Sequence, residues 1–189
     1  LRPDIFDISM RAKEQGFYTG LSSNGALITE DKADRIAEIG YDYVGVSLDG
    51  IGAVHDAFRR VEGAFDASLA GIRMLKERGV KVGIRFTMTE HNHVSLMELL
   101  DLFETEAIDK FYLSHLVYAG RGNHYREDDA VHQTTRNAMD MIFERCWNYV
   151  EQGLDKEFVT GNNDADGVYF LDWVRRNHPR AFNHIADKL

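Results

Sequence analysis

The sequence predicts an α/β fold in which strands run parallel and helices cross between them. Two observations carry this. Helix-period segments and short apolar runs alternate over residues 1–116 with short links, the order that right-handed crossovers turn into a parallel sheet or barrel. Two of the apolar runs, Leu21-Ser22-Ser23-Asn24-Gly25 and Val44-Gly45-Val46-Ser47-Leu48-Asp49-Gly50, end in small hydroxyl residues followed by Asn-Gly or Asp-Gly. A buried parallel strand takes that form when its carboxyl end opens into a polar pocket, and pockets in α/β folds lie at those ends.

Each element has its own signal. Pro3 suits the first helical position, and Ile5, Phe6, Ile8 and Met10 give an amphipathic stretch to about Gln15, ended by Gly16. Residues 17–21 read as a strand. Thr29, Glu30 and Asp31 open a helix that runs to Ile39, and Gly40 closes it. Residues 43–48 form the next strand. A glycine-containing loop leads to a helix over 65–78, stopped by Gly79, and then to a strand over 80–88. Leu96, Leu99, Leu100 and Phe103 mark one face of a helix over 93–106, and residues 110–116 form the fourth strand. A polar segment, 117–129, precedes helices over 131–152 and 163–177, where the strict alternation stops.

Composition narrows the function. Hydrophobic residues make up 44% and charged residues 28% of 189, enough for one domain with a proper core. A net charge of -9 argues against nucleic-acid or anionic-membrane partners, which reward clustered Lys and Arg. No apolar run approaches the roughly 20 residues that span a bilayer. The single cysteine, Cys146, precludes an intrachain disulfide, so a cytoplasmic location is the expectation. Cys146 sits among Phe143, Trp147 and Val150 and reads as a small buried hydrophobe. The chain starts with Leu1, and residues 181–189 look like an unfinished helix, so the chain reads as a piece of something longer.

All four strands end in polar residues: Ser22, Ser23 and Asn24; Ser47 and Asp49; Thr87 and Thr89; Ser114 and His115. Any one of these is explained as a turn former or helix cap, but four in a row share a rim. Arg85 interrupts an apolar strand and needs a carboxylate, either a protein group such as Asp49 or one on a ligand. The run from His55 to Arg60 reads as a charged loop. Gly120-Arg121-Gly122-Asn123 follows the fourth strand without the context of a dinucleotide fingerprint. Residues 160–166 read as an N-cap, with Asp164 and Asp166 at the positive end of a helix. The eight histidines show no zinc spacing, so no metal ligands are assigned.

Taken in order, Ser22-Ser23-Asn24-Gly25, Val46-Ser47-Leu48-Asp49-Gly50, His55-Asp56 with Arg59, and Gly63-Ala64-Phe65-Asp66 resemble the middle of a radical SAM enzyme, of the subgroup with an auxiliary C-terminal iron–sulfur domain. Leu1-Arg2-Pro3-Asp4 is similar to the segment just after that family's Gly-Gly-Glu motif. Residues 111–116, 118–123, 133–136 and 158–166 are similar to the branch that serves haem d1 biosynthesis, and the match spans nearly the whole chain.

The resemblance implies part of a partial (β/α)6 TIM-like barrel over 1–130, lacking the cluster-binding part, and a helical segment over 131–189 leading towards an auxiliary cluster domain. It implies S-adenosyl-L-methionine (SAM) as cofactor, contacted by Ser22 and Ser47 with Asn24 beside them, and by Leu116 against the adenine. [4Fe–4S] clusters belong to the longer parent. The family's Cys-x-x-x-Cys-x-x-Cys motif is absent here, and a cluster needs thiolates, so truncation is the expectation and a cluster-free homologue the alternative. The implied reaction uses a 5′-deoxyadenosyl radical to take hydrogen from a propionate of a didecarboxysirohaem-type tetrapyrrole, with loss of that propionate and with electrons from a donor protein. Arg59, Arg85, His115 and Arg121 are the candidate anchors for carboxylates. Alternatives are a cluster-free tetrapyrrole-binding or scaffold protein, or a radical SAM enzyme acting on haem precursors or peptides.

Overall fold

The structure, a computed structural model, describes residues 2–188; the side chain of Arg121 lies outside that description. Among the described residues eight helices and five strands follow one another as α1 (Ile5–Glu14), β1 (Gly20–Ser23), α2 (Glu30–Ile39), β2 (Tyr43–Ser47), α3 (Ala53–Arg59), α4 (Ala64–Glu77), β3 (Val82–Thr87), α5 (Leu96–Thr105), β4 (Lys110–Ser114), α6 (His132–Glu151), β5 (Glu157–Gly161), α7 (Ala165–Asn177) and α8 (Phe182–Ala186). Turns of 3₁₀ type cover His93–Ser95 and Gly120–Asp128.

The strands lie in one sheet in sequence order. β1 and β2 are parallel, with Ser22 opposite Gly45, and β2 and β3 are parallel, with Ser47 opposite Arg85. The Asp109 N–H donates to the Val82 carbonyl at 3.0 Å, and the Met88 N–H donates to the Ser114 carbonyl at 3.0 Å. Both numbers rise together, so β3 and β4 also run parallel. At the far side the His115 N–H donates to the Gly161 carbonyl at 3.2 Å, which joins the carboxyl ends of β4 and β5. The predicted parallel α/β architecture is the one observed.

Two elements escaped the sequence. β5 holds only two large apolar residues, Phe158 and Val159, too few for an alternating or continuous run to stand out. The alternation therefore continues past residue 131. α3 has 7 residues, under two turns, and is too short to show a 3.6-residue period.

The chain divides into two compact units. One runs to Phe86 and resumes over Val94–Tyr112; the other comprises Thr87–His93 and the chain from Leu113 onward. In the first unit Leu21, Val44, Val46, Val82, Ile84 and Phe86 are buried along one face of the strands. Ile36, Ile72, Leu75, Leu99 and Phe103 are buried along the helices, and the Phe103 ring meets Phe111 edge-on at 6.0 Å. Each fully buried side chain of this kind contributes roughly 1.5–3 kcal/mol. Because strand side chains alternate, the other face carries Gly20, Ser22, Gly45, Ser47, Gly83 and Arg85. In the second unit Phe143 packs on Phe170 and Trp173 at 5.0 and 5.8 Å, and Trp147 stacks on His178 at 3.6 Å.

Candidate functional site

On the polar face of the first unit small residues flank the Arg85 guanidinium, and Lys110 lies 5.1 Å over the ring of Tyr43. Arg85 lays its stem across β2, which only a glycine permits: a Cβ on Gly45 would stand 2.7 Å from Arg85 Cδ and 2.6 Å from the Tyr43 hydroxyl. The guanidinium then lies 4.4 Å over the ring of Tyr112. Among the described residues no carboxylate pairs with it. Ser22 is exposed and Ser47 half-buried on the same face. The turn after β1 is sealed from behind. The Ser23 hydroxyl accepts the Gly25 N–H at 3.1 Å, and the Ser68 hydroxyl donates to the Asn24 carbonyl at 2.7 Å. Gly25 has φ +78°, and a Cβ there would fall 2.6 Å from Val46 Cγ1. The Asn24 side chain is left exposed.

Behind this rim sits a buried cluster. Asp49 is 1% exposed; its N–H donates to Nδ1 of His55 at 2.9 Å, and its carboxylate accepts from Arg59. His55 is equally buried, and burial, aided by the Arg59 charge and opposed by Asp56, lowers its pKa to about 4. Asp56 accepts the N–H groups of Phe65 and Gly63 at 2.8 and 2.7 Å, which holds its carboxyl below the usual range and caps α4. The segment from His55 to Arg60 is thus a clamp on the turn after β2, where the sequence suggested a charged loop. Asp49, one of two carboxylate sources considered for Arg85, is engaged by Arg59. The Arg59 Nε remains buried without a hydrogen-bond partner among the described residues.

In the second unit polar groups gather where β4 and β5 end. His115 Nε2 lies 2.9 Å from Asp166 Oδ2, and Asn162 donates to the Ser114 hydroxyl at 2.7 Å. Leu116 is half-buried. Residues 160–166 are more than a helix cap: the Asn163 side chain accepts the Ala165 N–H at 3.1 Å, while Asp166 reaches His115. Asp166 and Tyr112 were not recognised from sequence. Nothing in the spacing ties Asp166 to a histidine 51 residues away. The backbone of Arg121 lies in the Gly120–Asp128 turn, and its side chain falls outside the described residues.

Cys146 is the chain's one thiol; it is half-buried, and burial pushes its pKa up to about 12. Among the described residues no group of three or more His, Cys, Asp or Glu side chains is placed to hold a metal ion. No helix there is long and apolar enough to cross a membrane.

Comparisons with known proteins agree on one family. The model of the Radical SAM superfamily matches residues 1–103. The pre-heme d1 synthase of Dinoroseobacter shibae is 56% identical over 182 residues, covering 96% of this chain and 45% of that protein. The Fe-coproporphyrin III synthase of Methanosarcina barkeri is 40% identical, covering 96% and 46%. The chain spans about half the length of these relatives. Among solved structures, Streptococcus suis SuiB bound to precursor peptide SuiA aligns with TM-score 0.70 at 17% identity, over 88% of this chain and 37% of that one. That likeness concerns the fold.

Proposed function

The chain belongs to the radical SAM superfamily, and we propose that it is the central part of a longer enzyme of haem d1 biosynthesis that removes propionate side chains from a didecarboxysirohaem-type tetrapyrrole. The observation that carries this reading is the 56% identity to a pre-heme d1 synthase along nearly the whole chain. In this reading residues 1–130 are barrel and 131–189 lead towards an auxiliary cluster domain.

The chain's residues fit SAM but not a cluster. On the first unit's polar face Gly20 is exposed, and the Ser22 and Ser47 hydroxyls and the Asn24 amide are available as hydrogen-bond partners. Leu116 would supply the apolar contact to the adenine. One cysteine cannot supply a cluster's thiolates, so those ligands are assigned to residues outside this chain. When bound and reduced through a cluster, SAM supplies a 5′-deoxyadenosyl radical that takes hydrogen from a propionate. The chain's own share is binding, orientation and exclusion of water. Arg85 offers a planar fork to a substrate carboxylate, with Tyr112 beneath it. Arg59, Arg121 and His115 are the further anchors. A donor protein supplies electrons, and the enzyme works in the cytoplasm.

The test is turnover by the full-length enzyme. With didecarboxysirohaem, 5′-deoxyadenosine should form together with a product that mass spectrometry shows to lack propionate. SAM cleavage unaffected by the tetrapyrrole, with no propionate lost, would refute the reading.

A further inference from the structure

We propose that His115 and Asp166 together receive a carboxyl group of the tetrapyrrole, with His115 Nδ1 as the contacting atom and Asp166 as its positioning residue. The inference rests on the tetrapyrrole reading above and adds an atom and a residue to it.

The two side chains are 11% and 7% exposed and meet at 2.9 Å. Asp166 lies in the first turn of α7 and meets His115 at Nε2, so the ring's second nitrogen is left over. Nδ1 has no hydrogen-bond partner among the described residues. A histidine backed by a carboxylate and open at its other nitrogen is an arrangement built to meet a third group.

The location supports a ligand as that third group. The pair stands where β4 and β5 end together, and ligands of parallel α/β sheets bind outside the carboxyl ends of strands. Asn162 beside it has φ +70°, a left-handed conformation that costs a non-glycine residue energy and that recurs at ligand sites. It is held there by its bond to Ser114.

The pairing also changes the chemistry expected of His115. A lone imidazolium would be a cationic anchor. Facing Asp166 through Nε2, the ring meets a second carboxyl group through a proton shared between Nδ1 and the incoming oxygen. The ring then bridges two carboxyl groups with one proton on each side, and no covalent bond changes. The ligand group that fits is a free carboxyl, and an ester, which has no proton to share and no charge, does not.

The experiment titrates full-length enzyme with didecarboxysirohaem and with its methyl ester, followed by absorbance. His115→Gln keeps a donor that reaches Asp166 but has nothing in place of Nδ1. It should weaken binding of the free acid by about tenfold or more and abolish the preference for acid over ester. Asp166→Asn should weaken acid binding in the wild-type background and add little to His115→Gln, because it acts through the ring. SAM affinity should stay unchanged in all three variants, which checks the fold. Acid binding and acid-over-ester preference retained in His115→Gln would overturn the proposal while leaving the tetrapyrrole reading intact. Independent, additive losses would overturn the positioning role of Asp166. Failure of the wild type to bind didecarboxysirohaem at all would overturn both.

Discussion

His55 makes acid stability of the first unit predictable. Its pKa lies near 4 in the folded chain against 6.5 for a free imidazole, chiefly because it is buried. Unfolding therefore releases a ring that binds a proton below pH 6.5. The resulting stability is fully present above pH 6.5 and is lost as pH falls from there to about 4. At ~1.4 kcal/mol per pH unit, that gap corresponds to about 3 kcal/mol. His55→Asn isolates the effect, since an amide oxygen can still accept the Asp49 N–H and does not titrate in this range. Carboxylates remote from His55, such as Asp42 with its Thr19 and Lys13 partners, also lose stability in acid, but they do so equally in both proteins. Urea unfolding of the wild-type and His55→Asn chains at steps from pH 7 to pH 4 should show the wild type losing about 3 kcal/mol more than the variant. Parallel stability curves over that range would refute the assignment of a buried neutral imidazole.

Three further outcomes are expected. Gly45→Ala should destabilise by about 1–3 kcal/mol in urea, because the Arg85 stem already lies where the methyl must go; unchanged stability would mean that the stem moves freely. Ser47→Val in the full-length enzyme should weaken SAM binding by about 1–3 kcal/mol in calorimetry with cluster content intact, and equal affinity would exclude the hydroxyl as a contact. The 189-residue chain reconstituted with iron and sulfide should show no [4Fe–4S] absorption, since one cysteine cannot ligate a cubane, and a stoichiometric cluster would refute this.

The repeating part of the fold was legible because its elements are long and carry their own punctuation. α2 shows Ile36 and Ile39 buried and ends at Gly40 with φ +69°. β2 and β3 are runs of buried residues bounded by polar ones. Legibility failed where a segment is short or stabilised by partners remote in the chain. α3 is fixed by the tie of Arg59 and His55 to Asp49, so its order comes from tertiary contacts that no local period records. β5 depends on β4 beside it, and its own apolar content is too small to declare it.

The site shows the same division in sharper form. Small hydroxyl residues at strand ends mark a rim, because their position in an apolar run is a local fact. Whether a charged residue serves the rim or the scaffold is a question of competition, and competition is not local. Arg85 needed a carboxylate, and Asp49 was the protein group considered for it, while Arg59 was read as an anchor for a ligand. The structure gives Asp49 to Arg59, ten residues along the chain, within a clamp that also fixes His55 and caps α4. Arg85 is left with the face of Tyr112, which offsets part of the cost of holding a cation there but neutralises none of its charge. A guanidinium set into a strand, shaped around by a glycine and denied a counter-ion among the described residues, is the strongest local reason to expect an anionic ligand on this face.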